Sequence, residues 1–137
     1  MKTKILLFIS AYTFFAFNFV HASSEYELMD GTWRMISDLD CDETHAFDKK
    51  GEVIVLSGNQ KLKKGYLVTK FENSEFYKFE TVVLANNNEP DCIGQLDSKV
   101  GDQLHLYVKF ENRKNEIHFY GWPSEDGYLD VYLRIEK

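Results

Sequence analysis

"QLHLYVKFENRKNEIHFY", residues 103–120, decides the fold. Leu104, Leu106, Val108 and Phe110 fall on one side of an extended chain, and His105, Tyr107 and Lys109 fall on the other. A period of two is the mark of a strand with one buried face. Asn112–Lys114 then supplies a tight turn, and a second short run, Glu116–Tyr120, leads back. The stretch reads as a hairpin. "YLDVYLRIE", residues 128–136, repeats the alternation. Its apolar set, Leu129, Val131, Leu133 and Ile135, is expected to face the core, with Tyr128, Asp130, Tyr132 and Arg134 opposite.

Working outward, similar runs cover residues 32–39, 52–56, 66–72 and 75–84, with a weaker one at 92–96. With the three above they make eight. Ser24–Met29 suits a short helical turn, and no later window has a helical period. "KFEN" occurs at 70–73 and again at 109–112, each time where a strand meets a turn. Asn tolerates the left-handed backbone of such turns. Residues 85–91 and 122–127, rich in Asn, Asp, Pro and Gly, read as loops. The expected fold is all-β: a single-domain antiparallel up-and-down barrel of about eight short strands, whose closure removes sheet edges. A two-sheet sandwich is the alternative.

The first 22 residues read as a secretory signal. Lys2 and Lys4 precede an apolar run from 5 to 20, and Val20-His21-Ala22 offers a cleavage site. Removing 22 of the 137 residues leaves 115 (residues 23–137), a size that suits one domain. Two of the 16 basic residues go with the signal while all 22 acidic ones remain, so the exported part carries about −8. That charge disfavours nucleic acid and anionic membrane. It suits an apolar small molecule or a basic protein as partner. No further apolar run is long enough to span a membrane, and a monomer in the periplasm or outside the cell is expected.

Cys41 and Cys92 are the only cysteines. In an exported chain they are expected to pair, closing a loop of about 50 residues for a stabilisation of roughly 4 kcal/mol. Two buried free thiols are the alternative. Beside Cys41 lies "DLDCDETH", with Asp38, Asp40, Asp42, Glu43 and His45. It lacks the glycine and distant glutamate of a calcium loop, and reads as a solvated acidic loop with no metal site.

His105, Tyr107, His118 and Tyr120 share what the pleat makes an outer face, with Trp122 close in sequence. Tyrosine and tryptophan are frequent in protein contacts, so these five are the candidate contact surface. Paired histidines without a third ligand do not make a zinc site. Catalytic motifs are missing, so neither an enzyme nor a cofactor is expected.

Gly31-Thr32-Trp33 near the start of the exported part, with Arg134 in the closing "VYLRIEK", resembles the calycins, the group of lipocalins and fatty-acid-binding proteins. The resemblance implies a barrel whose Trp33 plugs one end, with Arg134 packed across it. Strict alternation, however, turns Arg134 outward unless a bulge intervenes. It also implies a binding protein that holds an apolar small molecule or lipid inside. Tyr66, Val68, Tyr77, Phe79, Leu104, Leu106 and Val131 are the candidate lining. The other reading is a periplasmic protein-binding module, an inhibitor or immunity protein, that uses the acidic surface and the loops.

Overall fold

The structure, a computed structural model, describes residues 24–36, 40–96 and 98–137. Residues 1–23, on which the expected signal falls, residues 37–39 (Asp38 among them) and Asp97 lie outside the described residues.

Eight antiparallel strands close into one barrel in chain order. They are β1 (Gly31–Met35), β2 (Glu43–Phe47), β3 (Glu52–Ser57), β4 (Gln60–Lys70), β5 (Tyr77–Asn86), β6 (Gln103–Glu111), β7 (Glu116–Tyr120) and β8 (Tyr128–Glu136). β8 pairs back with β1, with a register shift at Thr32/Trp33. A short helix, α1 (Ser24–Met29), precedes β1. The barrel is the expected one, with two strands placed differently. Residues 92–96 form a turn, and the missing strand is β2, which the acidic segment enters at Glu43. β2 escapes a hydrophobicity pattern because two of its three inward positions are Glu43 and His45.

Trp33 fills one end of the barrel and is fully buried. Its indole Nε1–H donates to the Met29 carbonyl at 2.7 Å, which fixes α1 as a lid. The Arg134 guanidinium lies 4.0 Å from the Trp33 ring centre. It donates to the carbonyls of Asp30 and Leu28 at the end of α1. A cation over an indole face that also ties down a helix end secures both elements. Gly31 precedes the plug at φ +117°, where any Cβ would strike the Glu136 carbonyl and the Arg134 side chain. Glycine at this position is therefore a steric requirement of the plug.

Arg134 faces inward because β8 is turned over relative to the expectation. Asp130, Tyr132 and Arg134 point into the barrel, while Leu129, Leu133 and Ile135 stay substantially exposed. Val131 belongs to that outer set, and its place in the expected lining is corrected. A shift of one residue exchanges the two faces of a strand, and β8 carries a register shift against each neighbour. Burying Tyr132 and stacking Arg134 on Trp33 outweigh leaving branched aliphatic residues in water.

Cys41 and Cys92 form a disulfide with Cα atoms 5.2 Å apart. It joins the approach to β2 to the long loop between β5 and β6, at the end of the barrel away from α1. Ser57 Oγ lies 3.0 Å from Cys92 Sγ, so the bridge packs on the β3–β4 hairpin. The chain-entropy argument applies with a separation of 51 residues.

Candidate functional site

The half of the barrel away from Trp33 is not filled. A cavity of about 200 Å³ opens there, lined from seven of the eight strands. β2 contributes His45 and Phe47, β3 Val53, β4 Lys64, and β5 Phe79 and Thr81. β6 contributes Leu104 and Leu106, β7 Phe119, and β8 Leu129, Asp130 and Tyr132. Leu104 and Leu129 are 45% and 55% exposed and form its mouth.

The floor consists of rings. His45 lies 4.7 Å from Tyr132, Tyr132 4.8 Å from Phe119, and Phe119 5.6 Å from Phe79, all between ring centres. Phe79 is 6.1 Å from Phe47, and Phe47 6.1 Å from His45, which completes a circuit of five. Tilted and edge-on pairs at these separations are attractive beyond the area they bury. Each ring of the circuit is held by its contacts with two others.

Polar groups enter at three points of this apolar wall. His45 Nε2 is 2.6 Å from Glu43 Oε1, and the Tyr132 hydroxyl donates to the same oxygen at 3.4 Å. Burial pushes the His45 pKa down, and Glu43 offsets this only in part. Burial also raises Glu43, but the hydrogen bond and charge of His45, with help from Ser57 and Lys64, outweigh it and leave Glu43 below its ordinary value. At neutral pH the pair is therefore a carboxylate facing a neutral imidazole. An ionised carboxylate only accepts, so the imidazole proton sits on Nε2. Burial likewise lowers Lys64, with Glu43 acting against it. Burial is the leading reason why Tyr132 is held above its usual range. Asp130 completes the set, on the rim side beside Leu129.

Of the seven residues expected to line a ligand site, Phe79, Leu104 and Leu106 line this cavity. Tyr66 and Val68 are buried in the filled half, where the Tyr66 hydroxyl donates to the Asp48 carbonyl at 2.6 Å. Tyr77 packs edge-on against Phe110 at 5.3 Å, with Lys70 over its ring. Sequence reasoning missed His45, Lys64, Asp130 and Tyr132. A signal for one of them was present: Gln60, Leu62, Lys64, Tyr66 and Val68 alternate without interruption, so a lysine sits on the inward stripe of β4. The acidic segment is correspondingly not one solvated loop. Asp42 stays outside and pairs with Arg34 at 3.1 Å, while Glu43 and His45 go inside. Cys41, Glu43 and Cys92 come together near the disulfide. Both sulfurs there are bonded to each other, which leaves no thiolate to bind a metal.

The outer histidine–tyrosine face is partly covered. Tyr120 is only 2% exposed, which corrects its place among the surface contacts. Phe76 stands edge-on to it at 5.0 Å, and Glu125 of the β7–β8 loop reaches its hydroxyl. Lys109 clamps this cover: its ammonium meets Glu125, Glu111 and Glu75 at 2.6, 3.2 and 3.4 Å. Tyr107 stacks on Phe71 at 5.5 Å. His105 and His118 are each 2.9 Å from a glutamate, Glu80 and Glu116 respectively. Trp122 is 53% exposed, its indole N–H bonded to Asp126.

No helix among the described residues is long and apolar enough to cross a membrane. No family model, no curated protein and no solved structure matches the chain.

Proposed function

We propose that this protein is a small exported binding protein, lipocalin-like in design, which holds one small apolar molecule in the open half of its barrel. The observation that carries the reading is the ring-floored cavity in the barrel interior. A pocket with apolar walls and a few converging polar groups is the usual form of a small-molecule site. Its 200 Å³ lies below the roughly 300–1,000 Å³ of sites for drug-sized ligands, so the occupant is compact and a long acyl chain does not fit. The Trp33–Arg134 stack supports the calycin-like design, and the disulfide suits an oxidising compartment. Burial of the ligand against the rings and leucines supplies the affinity, at about 25 cal/mol per Å² of apolar surface.

The test is titration of the purified, disulfide-bonded protein with toluene, followed by amide chemical shifts. Saturable shifts at Leu106, Phe79 and Phe119, abolished in Leu106→Trp, are expected. Shifts confined to the outer wall would end the reading.

A second reading rests on Trp122, Tyr128 and Leu129, which are 53%, 48% and 55% exposed beside the acidic β7–β8 loop. An exposed tryptophan with acidic neighbours is a suitable anchor for a basic protein. Inhibition of a basic lysozyme, lost in Trp122→Ala while toluene binding persists, would favour it.

A further inference from the structure

With the barrel taken as a container for a small molecule, on which this reading rests, a primary amine on its wall has chemistry that containment alone does not use. Lys64 takes the inward stripe of β4 between Leu62 and Tyr66. Its cross-strand neighbours are Val53 on β3 and Val83 on β5, both buried. The other lysines of β4 near it are placed differently: Lys61 is exposed, and Lys63 pairs with Glu52 at 2.9 Å. Lys64 is half-buried and lines the cavity with Phe79, Leu104, Leu106 and Phe119. Desolvation there favours the uncharged amine, and Glu43 opposes it only in part. A desolvated lysine in a hydrophobic pocket is an activated nucleophile toward carbonyl carbon. The lining also suits a neutral ligand. With His45 neutral, its charged members are Lys64 and Asp130, whose formal charges cancel.

We propose that the cavity holds a compact aldehyde as a reversible imine on Lys64. Lys64 Nζ gives one proton to solvent, and its lone pair attacks the carbonyl carbon. A nitrogen proton moves to the oxygen, which forms a carbinolamine. The hydroxyl then takes a proton from solvent and leaves as water while the carbon–nitrogen double bond forms. The resulting iminium carries the same single positive charge as the ammonium it replaces, so the balance with Asp130 is unchanged. The mouth between Leu104 and Leu129 admits the aldehyde and releases the water. The substituent on the carbonyl packs against Val53, Leu106 and the ring floor.

The test treats the disulfide-bonded protein at pH 7.5 with one equivalent of benzaldehyde and sodium cyanoborohydride, which reduces an iminium to a stable benzylamine. Peptide mass spectrometry then maps the label. Label on Lys64 is expected to exceed that on Lys61 or Lys63 by about tenfold or more, because binding concentrates the aldehyde at one amine. Excess toluene is expected to bring Lys64 down to the level of Lys61 and to leave Lys61 unchanged. Leu106→Trp, which fills the cavity, is expected to do the same. Even labelling of the three lysines overturns the proposal, and so does Lys64 labelling that toluene does not reduce. Saturable toluene shifts in the same sample would then leave the container reading standing. Absence of those shifts overturns both.

Discussion

The two halves of the barrel are built from the same strands, yet their interiors are opposite in kind. β4 shows this within one stripe. Tyr66 and Val68 lie in the half closed by Trp33, packed against Phe47, Tyr26 and neighbouring aliphatic residues. Just before them the same stripe carries Lys64 and Leu62, and Lys64 faces the open cavity. The closed half commits its inward positions to contact with one another, and α1, Arg134 and Trp33 seal it. The open half retains polar groups that full packing would exclude, because burying an ammonium or carboxylate without close partners opposes folding. The contrast teaches that stability resides in one half, which leaves the other free to carry charges that stability alone would not select.

Substitutions test this division, and the largest effect belongs to the plug. Trp33→Ala is expected to destabilise by about 3–5 kcal/mol, the usual range for removing a buried large aromatic residue. Urea unfolding measures it, and a loss below about 1 kcal/mol would mean that the closed half is not the stability centre. The paired change Cys41→Ser with Cys92→Ser comes next, at about 2–4 kcal/mol by chain entropy, read as a lowered thermal midpoint. Arg134→Met keeps much of the stem's packing but removes charged hydrogen bonds to the Leu28 and Asp30 carbonyls. A loss of about 2 kcal/mol is expected, with fraying of α1 visible by amide exchange.

A smaller effect distinguishes the open half by pH. The folded-state pKa of His45 lies below its unfolded value near 6.5. The unfolded chain therefore binds the proton first as pH falls. Stability is full above about pH 6.5 and declines below it, with a slope of at most about 1.4 kcal/mol per pH unit from this group. Glu43, also lowered, extends the decline at more acidic pH. In His45→Gln the slope just below pH 6.5 should flatten, and an unchanged profile would place the titrating group elsewhere. Lys64→Met, the mildest change, is expected to alter stability by less than about 1 kcal/mol in either direction, since an apolar replacement removes a desolvation penalty. A large loss there would show that the open half does contribute to holding the fold together.

The hairpin of β6 and β7 was legible because its polar and apolar residues segregate cleanly: Val108, Phe110, Ile117 and Phe119 all face inward as the alternation requires. β8 was not, because both of its faces carry large side chains. Hydrophobicity ranks Leu129, Leu133 and Ile135 as the core face, but Tyr132 and Arg134 find better partners inside, in Phe119 and Trp33. β2 was hidden for a related reason. Glu43 and His45 are tolerated inside only because they bond to each other across 2.6 Å, a pairing two residues apart that no hydrophobicity pattern rewards. The cavity was legible only at Phe79, Leu104 and Leu106, since its charged members look like surface residues until the strand registers bring them together.

What the chain determined by itself is the all-β character, most of the strands and the likeness of Gly31-Thr32-Trp33 to a barrel plug, because backbone sterics and the period of two act locally. The register of β8, the entry of Glu43 and His45 into the wall and the meeting of five rings around one void were decided by closure of the barrel. Closure is a global constraint: each strand must satisfy two neighbours at once, and the face that is buried is the one whose side chains fit the shared interior.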